Sequence, residues 1–515
     1  MQAKPSAKSP LLIPLLPHQS AQPEYLGLIE AQILPKNKPR RASHTPTRWL
    51  VCCVLALLWV LSSRRSWKKA QGTMAPFFVN ITDPGDLCVA PAGPSVSHSG
   101  YIGLKGDNEE TPKRSFFWLF EAENDSENAP IILTIGGGPG TSGMSNPMAV
   151  QGPCVVVENG TASNPNRWTE HFNLLALDHP IGAGFSFGTM VNNSRDAAVD
   201  VYDFLQKFYK VFPHLAKNQL VLSGGSYGGI YVPHIATVIH EQNLLIAKNR
   251  GQPGAISLNL ESMMVSNPIS DAASHFRWML QSRCYLFDMY NSTTCTELFE
   301  VLPVCLDAIA YAQQTEEWIP ERRTAAIETC GQLAMGDTHG TVVEDTRKKC
   351  YSKEPMGCLA PSFFWMEDLF HRPDVKDALG VPEHVNFKFV NEDVTREFMT
   401  YGDIIQSSYL LYAPLLKAGI RLLHYVGAQD ANCAWPGVIS FLKLIQSPFQ
   451  QQFLASPDVP WPTPADKTTA RVVGSGAGNF TWILVDGGGH FIAKDQPVLV
   501  KDIVQRWIHN VPYFG

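Results

Sequence analysis

The sequence predicts an α/β protein with a mostly parallel sheet and a disulfide-rich helical insertion, and three stretches carry the prediction. Leu220–Gly229 is an apolar run that enters a glycine-rich turn, after which Ile230, Val232, Ile235, Val238 and Ile239 recur at helical spacing. Ile131–Ile135 is a second short apolar run, ending in Gly136-Gly137-Gly138-Pro139-Gly140. Trp482–Val485 is a third, leading into Asp486-Gly487-Gly488-Gly489-His490. Short buried strands that end in glycines, alternating with amphipathic helices, are the pattern of a parallel sheet.

The first stretch contains Gly224-Gly225-Ser226-Tyr227-Gly228, and strand, G-x-S-x-G, helix is the nucleophile elbow of an α/β-hydrolase. A serine on a strained strand-to-helix turn needs neighbours without Cβ atoms. The turn lifts Ser226 Oγ out of the sheet and leaves N–H groups at the helix start free to hold an oxyanion.

At 515 residues the chain has room for one large α/β domain with an insertion. Charged residues at 17% and hydrophobics at 45% describe a globular protein, and a formal charge of −6 gives no reason to expect a nucleic-acid partner. Of 11 cysteines, Cys52 and Cys53 fall in an apolar run and nine lie downstream. Cys284, Cys295, Cys305, Cys330, Cys350 and Cys358 crowd into one segment at spacings that match no zinc pattern, so disulfides in an oxidising lumen are expected and no metal. Nine is odd, so at least one thiol stays free. Sequons at Asn80, Asn124, Asn159, Asn192, Asn291 and Asn479 all follow the apolar run, which places the chain after about residue 75 in the secretory pathway.

Residues 1–48 hold eight prolines and no lasting hydrophobic period, and read as a disordered cytosolic tail. Trp49–Ser63 is uncharged and mostly apolar. Fifteen helical residues span about 22 Å, short of the roughly 30 Å hydrocarbon core, so the segment is a marginal membrane span. A 48-residue leader is long for a cleaved signal peptide, which favours a retained type II signal-anchor. Basic residues flank both sides, and the sequons set the C-terminal side as lumenal. The hydrolase domain is expected over 75–515.

Gly138–Gly143 satisfies G-x-G-x-x-G, with Glu158 twenty residues past Gly138, but a dinucleotide site needs a helix starting there with free N–H groups. Pro139 lacks one, and two further prolines break Met144–Pro153, so no cofactor is expected. The loop reads instead as the source of a second oxyanion donor. Leu174–Leu177 is a buried strand leading into Asp178-His179-Pro180, and Asp196–Tyr209 an amphipathic helix with Ala198, Val201, Leu205 and Phe208 on one face. Ser262–Val265 reads as a strand ending near Asn267-Pro268. About 270–360 then changes character and reads as an inserted cap, stapled by disulfides because it has little core of its own. Leu422–Val426 resumes the sheet and turns at Gly427-Ala428-Gln429-Asp430; Val498, Val500, Ile503, Val504, Trp507 and Ile508 mark a closing helix.

A serine nucleophile needs a base, and the base an orienting carboxylate. Asp430 and His490 each follow a strand through a glycine-bearing turn, and the order Ser226, Asp430, His490 is that of the α/β-hydrolases. Over roughly residues 80–515 the chain resembles the serine carboxypeptidases. The resemblance rests on Gly137–Gly140, Asp178–Phe187, Gly225–Gly229, Asp430–Cys433 and Gly488–His490, the last followed by Asp495-Gln496-Pro497. It implies a Ser226–Asp430–His490 triad, an oxyanion hole from the N–H groups of Gly138 and Tyr227, and a helical cap. The expected reaction is cleavage of a peptide or acyl-ester substrate through an acyl-enzyme, the alternatives being an esterase, an acyltransferase or a non-catalytic glycoprotein.

The departures concern recognition. The family holds a free C-terminal carboxylate with an asparagine opening its N-G-G-P-G loop and two glutamates that share a proton. Those positions are Gly136, Val150 and Gly225 here, and the glutamine of the family's D-Q-P is His179. His179 is therefore the first candidate for a replacement contact. Without the acid pair, peptidase activity is expected to lack an acidic limb and to rise with pH through His490, near its ordinary value of about 6.5. Gly136→Asn, Val150→Glu and Gly225→Glu together are expected to restore preference for a free acid, provided the cap leaves room. The sequence carries no signal for oligomeric state, disulfide pairing or side-chain specificity.

Overall fold

The computed structural model describes residues 74–352, 358, 360–463 and 465–514. The N-terminal tail and Trp49–Ser63 lie outside these residues. Among the described residues no helix is long and apolar enough to cross a membrane.

One large mixed sheet organises the fold. Along its main path the strands run in the order Val79–Thr82, Ser97–Gly103, Lys113–Phe120, Asn173–Leu177, Ile131–Ile135, Leu220–Gly225, Leu260–Ser266, Arg421–Gly427, Phe480–Val485, Thr469–Val473, Val459–Pro460. The six from Asn173–Leu177 to Phe480–Val485 are mutually parallel, and antiparallel strands flank them on both sides. Ile131–Ile135 precedes both its neighbours in the chain, so the strand order reverses there. At such a switch point the loops leaving the carboxyl ends of adjacent strands diverge and leave a crevice for a ligand. The loops that leave these ends include Gly136–Gly140, Asp178–Pro180 and the Ser226 turn.

The parallel strands are continuous apolar runs because both faces of the sheet are covered. Leu220, Val221 and Leu222 are all at most 1% exposed, and burying each contributes about 1.5–3 kcal/mol. Helices Ser194–Val211 and Gly228–Ala247 pack on one side, in the same apolar cluster as Leu220 and Leu222. The closing helix Pro497–Ile508 packs on the other, with Val221 and Met264. The Asn193 side chain accepts from Asp196 N and starts the first helix two residues before the expected Asp196, a cap worth about 1 kcal/mol. Val498, one of the residues that mark the closing helix in the sequence, is 70% exposed in its first turn, directly after Pro497. The antiparallel strands Ser97–Gly103 and Lys113–Phe120 carry no period-2 pattern, because Phe116–Phe120 are buried on both faces.

The stretch read as a cap contains helices Ala272–Gln281, Ser292–Ala312 and Pro320–Gly331, followed by a hairpin of Thr341–Val342 and Asp345–Lys349. Disulfides Cys284–Cys295, Cys305–Cys330 and Cys350–Cys358 staple it, and Cys88–Cys154 lies outside it. Cys433 remains a free, buried thiol. The stretch does not lack a core: Leu302, Ile309, Ala326 and Leu333 are buried in the same apolar cluster as the sheet.

Candidate active site

Ser226 follows its strand at φ +57°, a left-handed conformation that a residue with a Cβ adopts only where its surroundings force it. Three backbone bonds do so. Ser226 N donates to Ser266 O at 3.1 Å, and Ser226 O accepts from Gly229 N and Ile269 N, both at 2.9 Å. The neighbouring loop is held as firmly. A Cβ on Gly137 would lie 2.7 Å from Gly225 O and 2.9 Å from Ser226 Cβ, so only glycine lets that loop touch the elbow. Asp178 anchors the loop, accepting from Ser142 Oγ at 2.5 Å, Gly143 N at 2.9 Å and Phe185 N at 2.7 Å. Burial pushes the Asp178 carboxyl up to about 6 against the pull of these hydrogen bonds. Among the described residues, the N–H groups of Gly138 and Tyr227 have no hydrogen-bond partner, which leaves both available to an oxyanion.

His490 Nδ1 lies 2.7 Å from Asp430 Oδ2. Asp430 is fully buried, and every one of its contacts is a donor: Asn267 Nδ2 at 2.5 Å, Asn432 N at 2.8 Å and Cys433 N at 3.0 Å. Burial alone would pull the His490 imidazole below its ordinary value, but the Asp430 charge and hydrogen bond, with Glu344 behind them, outweigh it. The net shift is upward, which corrects the expectation of an ordinary titration near 6.5.

Ser226 and His490 line one cavity of about 370 Å³, and Gly136, Gly138, Val150 and Gly225 line it with them. His179 does not. It is buried, its ring edge-on to Tyr231 at 4.8 Å, in a small void beside Asp178 and Asp200. Burial drives it down to about 3, so it is a neutral core residue that cannot contact a substrate in the cavity. The loss at Gly136 is built into the backbone. A Cβ there would lie 2.1 Å from Thr141 O, so an asparagine does not fit this loop. Gly225 is more tolerant, since its Cβ would meet the rotatable Ser266 Oγ at 2.7 Å.

Ligand atoms of Asp430, Cys433 and His490 lie within 4.8 Å of one another. Their chemistry does not suit a metal: Asp430 already accepts four hydrogen bonds, and burial keeps the Cys433 thiol protonated.

Several supporting residues carried no sequence motif. The Tyr227 hydroxyl donates to buried Asp403 at 2.8 Å, and Asp403 also takes Ser194 N and Oγ. Glu344, on the hairpin turn, accepts His490 N through its carbonyl at 2.7 Å and lines the cavity. Lys494 lines the same cavity four positions after His490. Asp403 and Glu344 act across a long sequence separation, so only folding brings them to the site.

The family model for serine carboxypeptidases matches residues 90–510. The chain belongs to the serine carboxypeptidase family. Carboxypeptidase Y homolog A of Podospora anserina is 30% identical over 487 residues, covering 92% of this chain and 83% of that protein. The Neurospora crassa homolog is 31% identical over 466 residues, covering 88% and 79%. The solved structure of KEX1(Δ)p, a prohormone-processing carboxypeptidase from Saccharomyces cerevisiae, matches with a TM-score of 0.69 at 20% identity, over 82% of this chain and 95% of that one. At that identity the likeness speaks for the fold. The protein is thus a serine-carboxypeptidase-like hydrolase with an α/β-hydrolase fold.

Proposed function

We propose that Ser226 is the nucleophile, His490 the general base and Asp430 its orienting carboxylate in the cleavage of peptide bonds. The observation that carries this is the strained Ser226 turn in one cavity with a histidine held at 2.7 Å by a buried aspartate. Ser226 Oγ attacks the acyl carbon while neutral His490 takes its proton through Nε2. The Gly138 and Tyr227 N–H groups hold the oxyanion. Collapse expels the amine, which leaves with the proton His490 returns, and water repeats the sequence on the acyl-enzyme.

One observation favours a second substrate class, an acyl ester. Gly136, Val150 and Gly225 put no polar side chain into the cavity, so none of the family's carboxylate-binding residues survives. Losing buried partners to a charged group costs several kcal/mol, on the order of a thousandfold in rate. An esterase or acyltransferase needs no such partners.

The compartment is an oxidising lumen in this reading, supported by four disulfides and by exposed Asn80, Asn124, Asn159 and Asn291 in sequons. Asn192 and Asn479 are half-buried, and Asn124 Nδ2 already donates to Glu170 O at 2.8 Å, so glycans there require the side chain to turn out. Trp49–Ser63 serves as a signal-anchor with residues 75–515 on the lumenal side, and the stretch of about 270–360 caps the cavity mouth. Fluorophosphonate labelling of the full chain beside Ser226→Ala tests the chemistry. Labelling that survives the substitution assigns the nucleophile elsewhere. Turnover of a blocked dipeptide acid, its amide and its ester then separates peptidase from esterase.

A further inference from the structure

The cavity that holds Ser226 and His490 also holds two further charged residues, Glu344 and Lys494. Among the described residues neither side chain has an ion-pair partner within 4 Å. Glu344 is near enough to His490 to raise its pKa. Lys494 Nζ donates to Ser362 Oγ at 2.6 Å and lies 5.6 Å from the centre of the Phe363 ring, so its one hydrogen-bond partner is neutral. Asp495, beside it in sequence, is engaged elsewhere: it accepts Gly489 N at 2.8 Å and pairs with Arg347 and Lys348 at 3.4 and 3.5 Å. Burial and the nearby Lys348 charge hold the Lys494 ammonium below a lysine's ordinary value, with Asp495 opposing them. Lys494 is exposed, so its ammonium meets the cavity and solvent with no fixed counter-charge, and an anion entering the cavity can approach it.

Its position says which anion. The turn Ile492–Asp495 carries Lys494 and packs against Pro147–Gln151, the turn that carries Val150. Val150 is where the family places one of its carboxylate-binding glutamates. A cation thus flanks the vacated position, while Glu344 disfavours an anion beside His490.

We propose that Lys494 binds the free carboxylate of the substrate's C-terminal residue in place of the missing acid pair. The proposal rests on the peptidase reading of the same cavity. A lysine binds an anion without first taking up a proton, so recognition persists at neutral pH, where a shared-proton carboxylate pair releases its ligand.

The test compares one N-acylated dipeptide as free acid and as amide on the full chain, for wild type, Lys494→Gln and Lys494→Arg. In Lys494→Gln the ratio of kcat/KM for acid over amide should fall about tenfold or more, through KM, as expected for a lost charged hydrogen bond. Lys494→Arg should retain most of the ratio. An unchanged ratio in Lys494→Gln overturns the proposal. A second arm needs no turnover: affinity for the dipeptide acid in a Ser226→Ala background, with and without Lys494→Gln. Weaker binding in the double variant supports Lys494, and equal binding overturns it. Failure of wild type to take fluorophosphonate or turn over either substrate would sink the hydrolase reading instead, and the binding arm still decides the role of Lys494.

Discussion

The Tyr227 hydroxyl donates to Asp403 Oδ2 at 2.8 Å, tying the residue whose N–H is proposed to hold the oxyanion to a carboxylate 176 positions away. Asp403 in turn takes the N–H and hydroxyl of Ser194 at the start of the Ser194–Val211 helix. Burial raises the Asp403 carboxyl, and these donors offset part of that cost. Tyr227→Phe leaves a buried acceptor short of one donor and should cost about 1–3 kcal/mol in stability. Urea unfolding of the Phe variant, followed beside wild type, measures it; an unchanged midpoint would mean the bond contributes nothing.

Ser226→Ala and His490→Ala should each abolish turnover without loss of stability, since nucleophile and base act as one unit. Asp430→Asn disturbs the histidine tautomer and should lower kcat on the order of ten-thousandfold while leaving a measurable residue. Single-turnover acylation and thermal melts on the same samples separate lost chemistry from lost fold.

The pH profile follows from the sign of the His490 shift. In the proposed mechanism only neutral His490 accepts the Ser226 proton, and its pKa is raised, so kcat/KM should climb with pH through a midpoint above 6.5. Glu344 contributes to the rise. Glu344→Gln removes that negative charge and should move the midpoint to lower pH, by a few tenths to about one unit. Profiles from about pH 4 to 9 on an uncharged ester keep substrate ionisation out of the comparison. A midpoint that moves up, or not at all, would exclude the side chain from the field of the base.

Rebuilding the family's acid pair should succeed at two positions and fail at the third. Val150→Glu with Gly225→Glu should add an acidic limb to peptide-acid turnover, because two close carboxylates share a proton and bind an anion while protonated. Gly136→Asn should instead destabilise, by roughly 1–3 kcal/mol, since its Cβ meets the Thr141 carbonyl in a closely packed loop. Melting temperatures and acid/ester rate ratios for the double and triple variants test both statements together.

Much of this molecule is legible in the chain because its information is local. The Leu220–Gly229 stretch specifies strand, corner and helix through residues that touch one another, and the odd number of downstream cysteines foretells a free thiol, Cys433. The order Ser226, Asp430, His490 needs only the rule that parallel strands present their loops on one side. Tertiary structure decided the rest. Gly136 is a vacancy no asparagine fills because Thr141 folds back on it, and His179 faces the core because Tyr231 and the sheet enclose it. Glu344 and Lys494 reach the cavity from a hairpin and a short turn, and no motif marks either of the two residues. A charge acts through space over several ångströms, and sequence distance does not report which charges those are.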